Sequence, residues 1–287
     1  MVVDALRKLR VFSPMQAFEY VGFGGMEFVD FELIHRELDV KKMVSIETNG
    51  HDAARFKFNA PFRGVDLKFG KASSVLPSLL DAPCLRILWL DYECELNLEV
   101  IQDLGTALRK LVPGSVLIVS VNAQGPRKAR DRLARFTANV EVERLPAEVT
   151  DATLAKWGWA ETSHRVLVAE AEAEAARRYD GAKFEQLFRF HYADGARMLT
   201  WGGLLLGPAN ISAFDAARFA ELAQVRLSTD EPYEISPPIL TLREVLHLNR
   251  QMPTRNLSEV DADGISSADI ASYADLYRWY PSVPAPM

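Results

Sequence analysis

Up to Asn122 the chain alternates between two hydrophobic periods. Five short apolar runs have strand length and turn residues at their ends: AFEYVGFG (17–24), KKMVSIE (41–47), VDLKFG (65–70), LRILWLDYE (85–93) and SVLIVSVN (115–122). The segments between them repeat apolar residues at helical spacing. In 26–38, Phe28, Phe31, Leu33, Ile34 and Leu38 share one broad face. GHDAARFKFNAP (50–61) is a helix stopped by Pro61, Ser73 begins a short helix, and NLEVIQDLGTALRKLVPG (97–114) ends on Pro-Gly. The run 85–93 is continuously apolar, as expected when both faces of a parallel sheet are covered. Strands alternating with helices predict a parallel sheet sandwiched by helices, and right-handed crossovers leave few topologies.

The second half follows another pattern. GPRKARDRLARF (125–136) is a basic helix candidate, and HRVLVAEAEAEAARRY (164–179) is rich in strong helix formers. KFEQLFRFHYADGARMLTWGGLLLG (183–207) reads as two strands joined at ADG (193–195), a hairpin. Helices are predicted over 212–224 and in LTLREVLHLNRQM (240–252), and the closing VPAPM (283–287) is expected to fray.

Composition narrows the function classes. The chain has 287 residues, 48% hydrophobic and 25% charged, with a formal net charge of -6. A protein that coats nucleic-acid phosphates would be basic, which disfavours that class. Cys84 and Cys94 bracket a predicted strand that holds them beyond disulfide reach, and no paired Cys/His spacing suggests structural zinc. The charged N-terminus is unlike a secretory signal, and no apolar run has transmembrane length. A soluble cytoplasmic protein with no membrane partner is expected.

The candidate chemistry gathers at predicted strand ends. Gly22, Gly24 and Gly25 follow the first strand and precede a helix, a context in which backbone can approach a ligand closely. They form a structural turn or the floor of a nucleotide-like cofactor. Glu47, about twenty residues on, can accept hydrogen bonds from both hydroxyls of a ribose; by itself it does not separate adenosylmethionine from NAD. Asp91 closes the most buried strand, and nearby Glu93 and Glu95 would raise its pKa. The basic segment 127–136 reads as a solvated face, and the alternation around His191 as a strand with one buried face. Trp201-Gly202-Gly203 suggests a bulge or a close backbone approach.

Five strand-helix units followed by an antiparallel hairpin resemble the class I S-adenosylmethionine-dependent methyltransferase family. The resemblance rests on Gly22, Gly24 and Gly25, on Glu19 near the end of the first strand, on Glu47 and Asp91 at strand ends, and on the hairpin 184–206. It covers roughly the first two-thirds of the chain. It implies an α/β, Rossmann-like doubly wound sheet of about seven strands, mostly parallel with a C-terminal antiparallel hairpin. Residues 1–207 would form this domain, with a helical insertion near 125–183, and 208–287 a helical C-terminal extension. The implied cofactor is S-adenosylmethionine, held by Glu19, Gly22, Phe23, Gly24, Gly25, Glu47, Ser73 and Asp91. Asp91 or His191 would remove a proton where the acceptor needs it.

Two departures stand out. Lys71 occupies the place where the family often has an acid for the adenine amino group; Ser73 or a backbone group would substitute. Asp91 and Asn122 resemble catechol-type O-methyltransferases, but Val121 stands in place of their further acid, so no metal site is expected. The acceptor is left open among small molecules, proteins and RNA. The alternative is a catalytically degenerate methyltransferase-like scaffold within a multiprotein complex. The aromatic stretch 272–281 would then be a lid, a partner surface or a homodimer contact.

Overall fold

A computed structural model describes residues 1–227 and 231–280. After helix α1 (Val2–Arg7) the chain alternates as the periodicity predicts: β1 (Phe18–Gly22), α2 (Val29–Leu38), β2 (Lys42–Glu47), α3 (Ala53–Asn59), β3 (Val65–Phe69), α4 (Ala72–Leu79), β4 (Leu85–Glu95), α5 (Leu98–Lys110) and β5 (Val116–Asn122). Helices α6 (Arg132–Val140) and α7 (Gly158–Ala176) come next, then the hairpin β6 (Lys183–Asp194) and β7 (Ala196–Leu206), α8 (Ile211–Ala217) and the short β8 (Tyr233–Ile235). The strands form one eight-stranded sheet in the order β3-β2-β1-β4-β5-β7-β6-β8. β1 to β5 pair in parallel, while β7 runs antiparallel to both β5 and β6. The sheet thus has one strand more than the pattern suggested, because three residues around Tyr233 are too short to carry a period.

The core explains this order. β5 is buried along its length from Val116 to Val121, as are Ile87, Leu88 and Leu90 of β4. Strands covered on both faces need helices on each side. α5 supplies one cover: Asn97 caps it by accepting the Val100 amide at 3.1 Å, and Ile101, Leu104 and Leu108 point inward. α7 supplies more through Trp159, Val166, Leu167 and Ala171. β7 is held tightly between its neighbours, since a Cβ at Gly203 would lie 2.0 Å from the Glu185 carbonyl oxygen.

Several boundaries differ from expectation for local reasons. α2 begins at Val29 because Phe28 adopts a left-handed conformation (φ 50°) that ends the preceding turn. α6 begins only at Arg132, after a single helical turn at 129–131. The helix expected over 212–224 stops at Ala217, where Arg218 turns left-handed (φ 52°). The chain divides into compact units at Tyr233, later than the expected 207. Residues 208–227 stay with the first unit: the Ala217 carbonyl accepts from Lys8 Nζ at 2.7 Å, and Arg226 N donates to the Leu187 carbonyl at 3.0 Å.

The second unit contains α9 (Leu242–Asn249) and α10 (Ser267–Leu276). Thr241 and Glu244 form a capping box on α9. Val245, Leu248, Ile270 and Tyr273 form its core, and the Tyr280 ring lies 5.2 Å from that of Tyr273. Part of the aromatic stretch therefore fills this unit's own interior. The fraying expected at 283–287 lies outside the described residues. Among the described residues no helix is long and apolar enough to cross a membrane.

At the amino ends of the parallel strands, the buried Arg86 guanidinium donates to Glu19 at 2.7 Å and to the carbonyls of Ala82 and Leu79 at 2.9 and 3.0 Å. Removing one partner of such a pair strands the other. Arg86→Met is expected to destabilise the protein by about 3 kcal/mol, measured by urea denaturation, and adding Glu19→Gln should recover part of that loss.

Candidate functional site

The carboxyl ends of β1, β2, β4 and β5 open into a cavity of ≈ 920 Å³. This is the edge where ligands bind in open α/β sheets. The glycine turn after β1 forms one wall. Its conformation is fixed by packing below and left open above. A Cβ on Gly24 would sit 2.4 Å from the Phe28 ring, so no larger residue fits there. Gly25 has φ +58° and nothing within 4 Å of where its Cβ would be, so its backbone faces free space.

The turn is tied to β2. Gly24 N donates to Ser45 Oγ at 2.9 Å, and Ser45 Oγ donates to Glu47 Oε1 at 2.5 Å. Ser45 and Glu47 lie two apart on a strand and so share a face. Burial raises the Glu47 pKa, against the opposing pull of Ser45 and of the Gly24 and Gly25 amides. Glu47 is thereby a positioned acceptor at the cavity wall.

β4 supplies the opposite wall. Asp91 pairs with Ser120 of β5, but the next matched pair is Glu95 with Asn122. The slip pushes Tyr92, Glu93 and Cys94 out of the ladder and into the cavity lining. Burial by its surroundings raises the Asp91 pKa; the Ser120 hydroxyl opposes the rise and Glu93 adds to it. Ser120 Oγ is also 3.0 Å from Trp89 Nε1 and 2.9 Å from Thr200 Oγ1. Tyr92 stands edge-on to Phe23, with centroids 5.1 Å apart, and its hydroxyl donates to Asp103 Oδ2 at 2.6 Å. Tyr192 and Met198 from the hairpin close the side beyond Asn122.

The structure therefore brings together Phe23, Gly24, Gly25, Glu47 and Asp91, with Gly22 immediately beneath. It separates three other candidates. Glu19 is second in β1, at the amino end, where Arg86 holds it. Ser73 does not border the cavity; its hydroxyl donates to Glu99 Oε1 at 3.3 Å. His191 is buried and stacked on Trp157, centroids 4.7 Å apart. Burial, with Arg189 and His164 nearby, lowers its pKa to about 4, so it is neutral near pH 7 and sits off the cavity. The alternation along β6 predicted one buried face, but Phe188, Arg189, Phe190 and His191 are all buried, so both faces are covered. Glu99, Asp103, Tyr92 and Tyr192 also line the cavity without having been singled out. For Tyr92 the signal was indirect: the polar DYECE continues β4 past the length its core needs; Glu99, Asp103 and Tyr192 reach the cavity from α5 and β6 with no such signal.

A family described as "Putative O-methyltransferase" matches residues 1–284. The chain belongs to this family. No curated protein matches the sequence. Among solved structures, the chain is similar to an O-methyltransferase family protein from Burkholderia thailandensis (14% identity, 72% of this chain and 56% of that one, TM-score 0.41). It is also similar to human N-acetylserotonin methyltransferase (12%, 71% and 52%, 0.38) and to a Methanococcus jannaschii fibrillarin (11%, 67% and 69%, 0.41). It spans about half the length of the first two of these proteins.

Two buried carboxyls, Asp103 in the cavity lining and Asp30 on α2, link stability to pH. Burial raises Asp30, which accepts from Tyr20, and Asp103 each to about 6. The fold binds these protons more tightly than the unfolded chain does. Their stabilising contribution is thus complete below about pH 4 and lost as pH rises through about 6. Asp103→Asn keeps an acceptor for Tyr92 and removes the titration. It should stabilise the protein more at about pH 7.5 than at about pH 4.5, read from urea midpoints.

Proposed function

We propose that this protein is a methyltransferase that binds S-adenosylmethionine in the cavity above the glycine turn and methylates a hydroxyl of its acceptor, with Asp91 as the base. The observation that carries this reading is the pairing of an open Gly25 backbone with the braced Glu47 carboxylate, 22 residues apart and on one wall. A side chain at position 25 would project into the space an adenosyl group would take. Glu47 offers the acceptor that two ribose hydroxyls need. The residues present therefore fit the group.

When bound, the cofactor supplies an electrophilic methyl on a sulfonium. The protein's own contribution is alignment and proton removal. Glu47, held by Ser45 and the turn amides, fixes the ribose. Phe23 and Tyr92 supply an apolar wall against water. Asp91 opens on the cavity with its pKa raised, closer to that of a base able to take the proton of an acceptor hydroxyl. His191 is removed from this role by its stacking on Trp157 and its distance from the lining. The scaffold alternative leaves unexplained why Glu47 and Asp91 are both kept partly desolvated and facing an open cavity.

Calorimetry with S-adenosylhomocysteine tests the cofactor site. Wild-type protein should bind it, and Glu47→Ala should weaken binding by ~10-fold or more, since two hydroxyls lose their acceptor. Asp91→Asn should abolish most methyl transfer to any acceptor that the wild type uses. No binding by the wild type at high micromolar ligand would sink the reading.

A further inference from the structure

We propose that the acceptor is a phenol carrying a positively charged amine, and that Glu93, on the β4 bulge, selects it by taking the amine. The assignment rests on the cofactor reading above and adds to it the chemical class of the acceptor.

The cavity runs along the carboxyl edge of the sheet from β2 to the hairpin, and Asp91 stands between its ends. With the cofactor on the Glu47 wall, the acceptor has the other end, lined by Asn122, Tyr192, Ala196 and Met198. Asn122 is level with Met198 in the β5–β7 ladder, and Met198 with Tyr192 in the hairpin, so the three form one row across the edge. A phenol ring beside a thioether suits a flat aromatic body. The base points the same way. A carboxylate takes a proton more readily from a phenol, whose pKa is about 10, than from an alkyl alcohol, a far weaker acid.

Charge decides the rest. Among the described residues that line the cavity, Glu47, Asp91, Glu93, Glu99 and Asp103 face Lys71 alone. Lys71 lies at the far end and is held by Glu99 at 3.1 Å. Glu47 is braced by Ser45, and Asp103 is buried and accepts from Tyr92. Arg197 falls between Ala196 and Met198, so alternation turns it off the lining; its Nη1 donates to Gln124 at 3.3 Å and its guanidinium lies over the Trp157 ring. The acceptor end thus has Asp91 and Glu93 and no lining cation. S-adenosylmethionine brings a single positive charge in excess, which balances one of these carboxylates and leaves the other. Glu93 is exposed, and among the described residues it makes no hydrogen bond or ion pair. A carboxylate or phosphate on the acceptor would add a like charge here, which disfavours nucleic acid as well. An ammonium group would answer Glu93. Burial is the larger cause of the Asp91 rise, so Asp91 keeps it when an amine neutralises Glu93.

The test compares phenols that share a ring and differ in the charge of the tail: tyramine, para-ethylphenol and para-hydroxyphenylpropionate. Methylated product is measured by mass spectrometry, and thermal melts establish that each variant is folded. Wild-type protein should favour tyramine over the propionate by ~10-fold or more in kcat/KM, since a charge-assisted hydrogen bond is gained and a repulsion avoided. Para-ethylphenol should fall between them. Glu93→Gln should bring the tyramine preference close to parity through a higher KM for tyramine, and Glu93→Lys should reverse it. A wild type that uses the propionate as well as tyramine overturns the assignment, as does a tyramine preference that survives in Glu93→Gln. Turnover of none of these phenols by protein that binds S-adenosylhomocysteine in calorimetry overturns the acceptor class and leaves the cofactor reading intact. Failure to bind S-adenosylhomocysteine removes both.

Discussion

Everything at this site depends on the register between β4 and β5. Asp91 faces Ser120, and then the ladder slips until Glu95 meets Asn122. Up to the slip, the pairing holds the buried β5 against Ile87, Leu88 and Leu90 of β4 and fixes the sheet. Beyond it, three residues are released over the carboxyl edge. Without the slip, Tyr92, Glu93 and Cys94 would alternate between the covered faces, where a carboxylate could not stay ionised without a partner. With it, the cavity gains an aromatic wall and a second acid beside Asp91. The bulge turns the end of a structural strand into cavity lining.

The parallel pairing has a second consequence: it sorts acids by the end of the sheet at which they lie. Glu19 and Glu47 both sit on strands bordering the same core. Glu19 is at the amino end and answers to Arg86; Glu47 is at the carboxyl end and answers to the glycine turn. One carboxylate is consumed by the fold, and the other lines the cavity. The distinction is made by five residues of strand, since Glu19 is level with Lys42 and Glu47 lies five residues beyond it, each carrying a side chain about 3.3 Å further along.

Much of the fold was legible in the sequence because its signals are local. Strand-length apolar runs, helix stops at Pro-Gly and the ADG turn each act within a few residues. Boundaries failed where a single backbone angle decided them, as at Phe28 and Arg218. β8 failed because three residues cannot show a period. That the glycine turn, Glu47 and Asp91 would meet at one cavity was legible, since strand ends and glycines are marked along the chain. Ser73 was misjudged because its nearness to the site in sequence is real, but its hydroxyl turns to Glu99 instead of the cavity.

The sequence by itself determined the alternation of strands and helices, the closing hairpin and the carboxylates at strand ends. These follow from side-chain periodicity and turn chemistry, which need no distant partner. Tertiary structure decided which of those carboxylates face a cavity. It buried His191 against Trp157, gave Glu19 to Arg86, and brought Glu99 across to Lys71. Those outcomes depend on contacts between residues 28 to 67 positions apart, or on which way a strand side chain faces. A one-dimensional pattern carries neither.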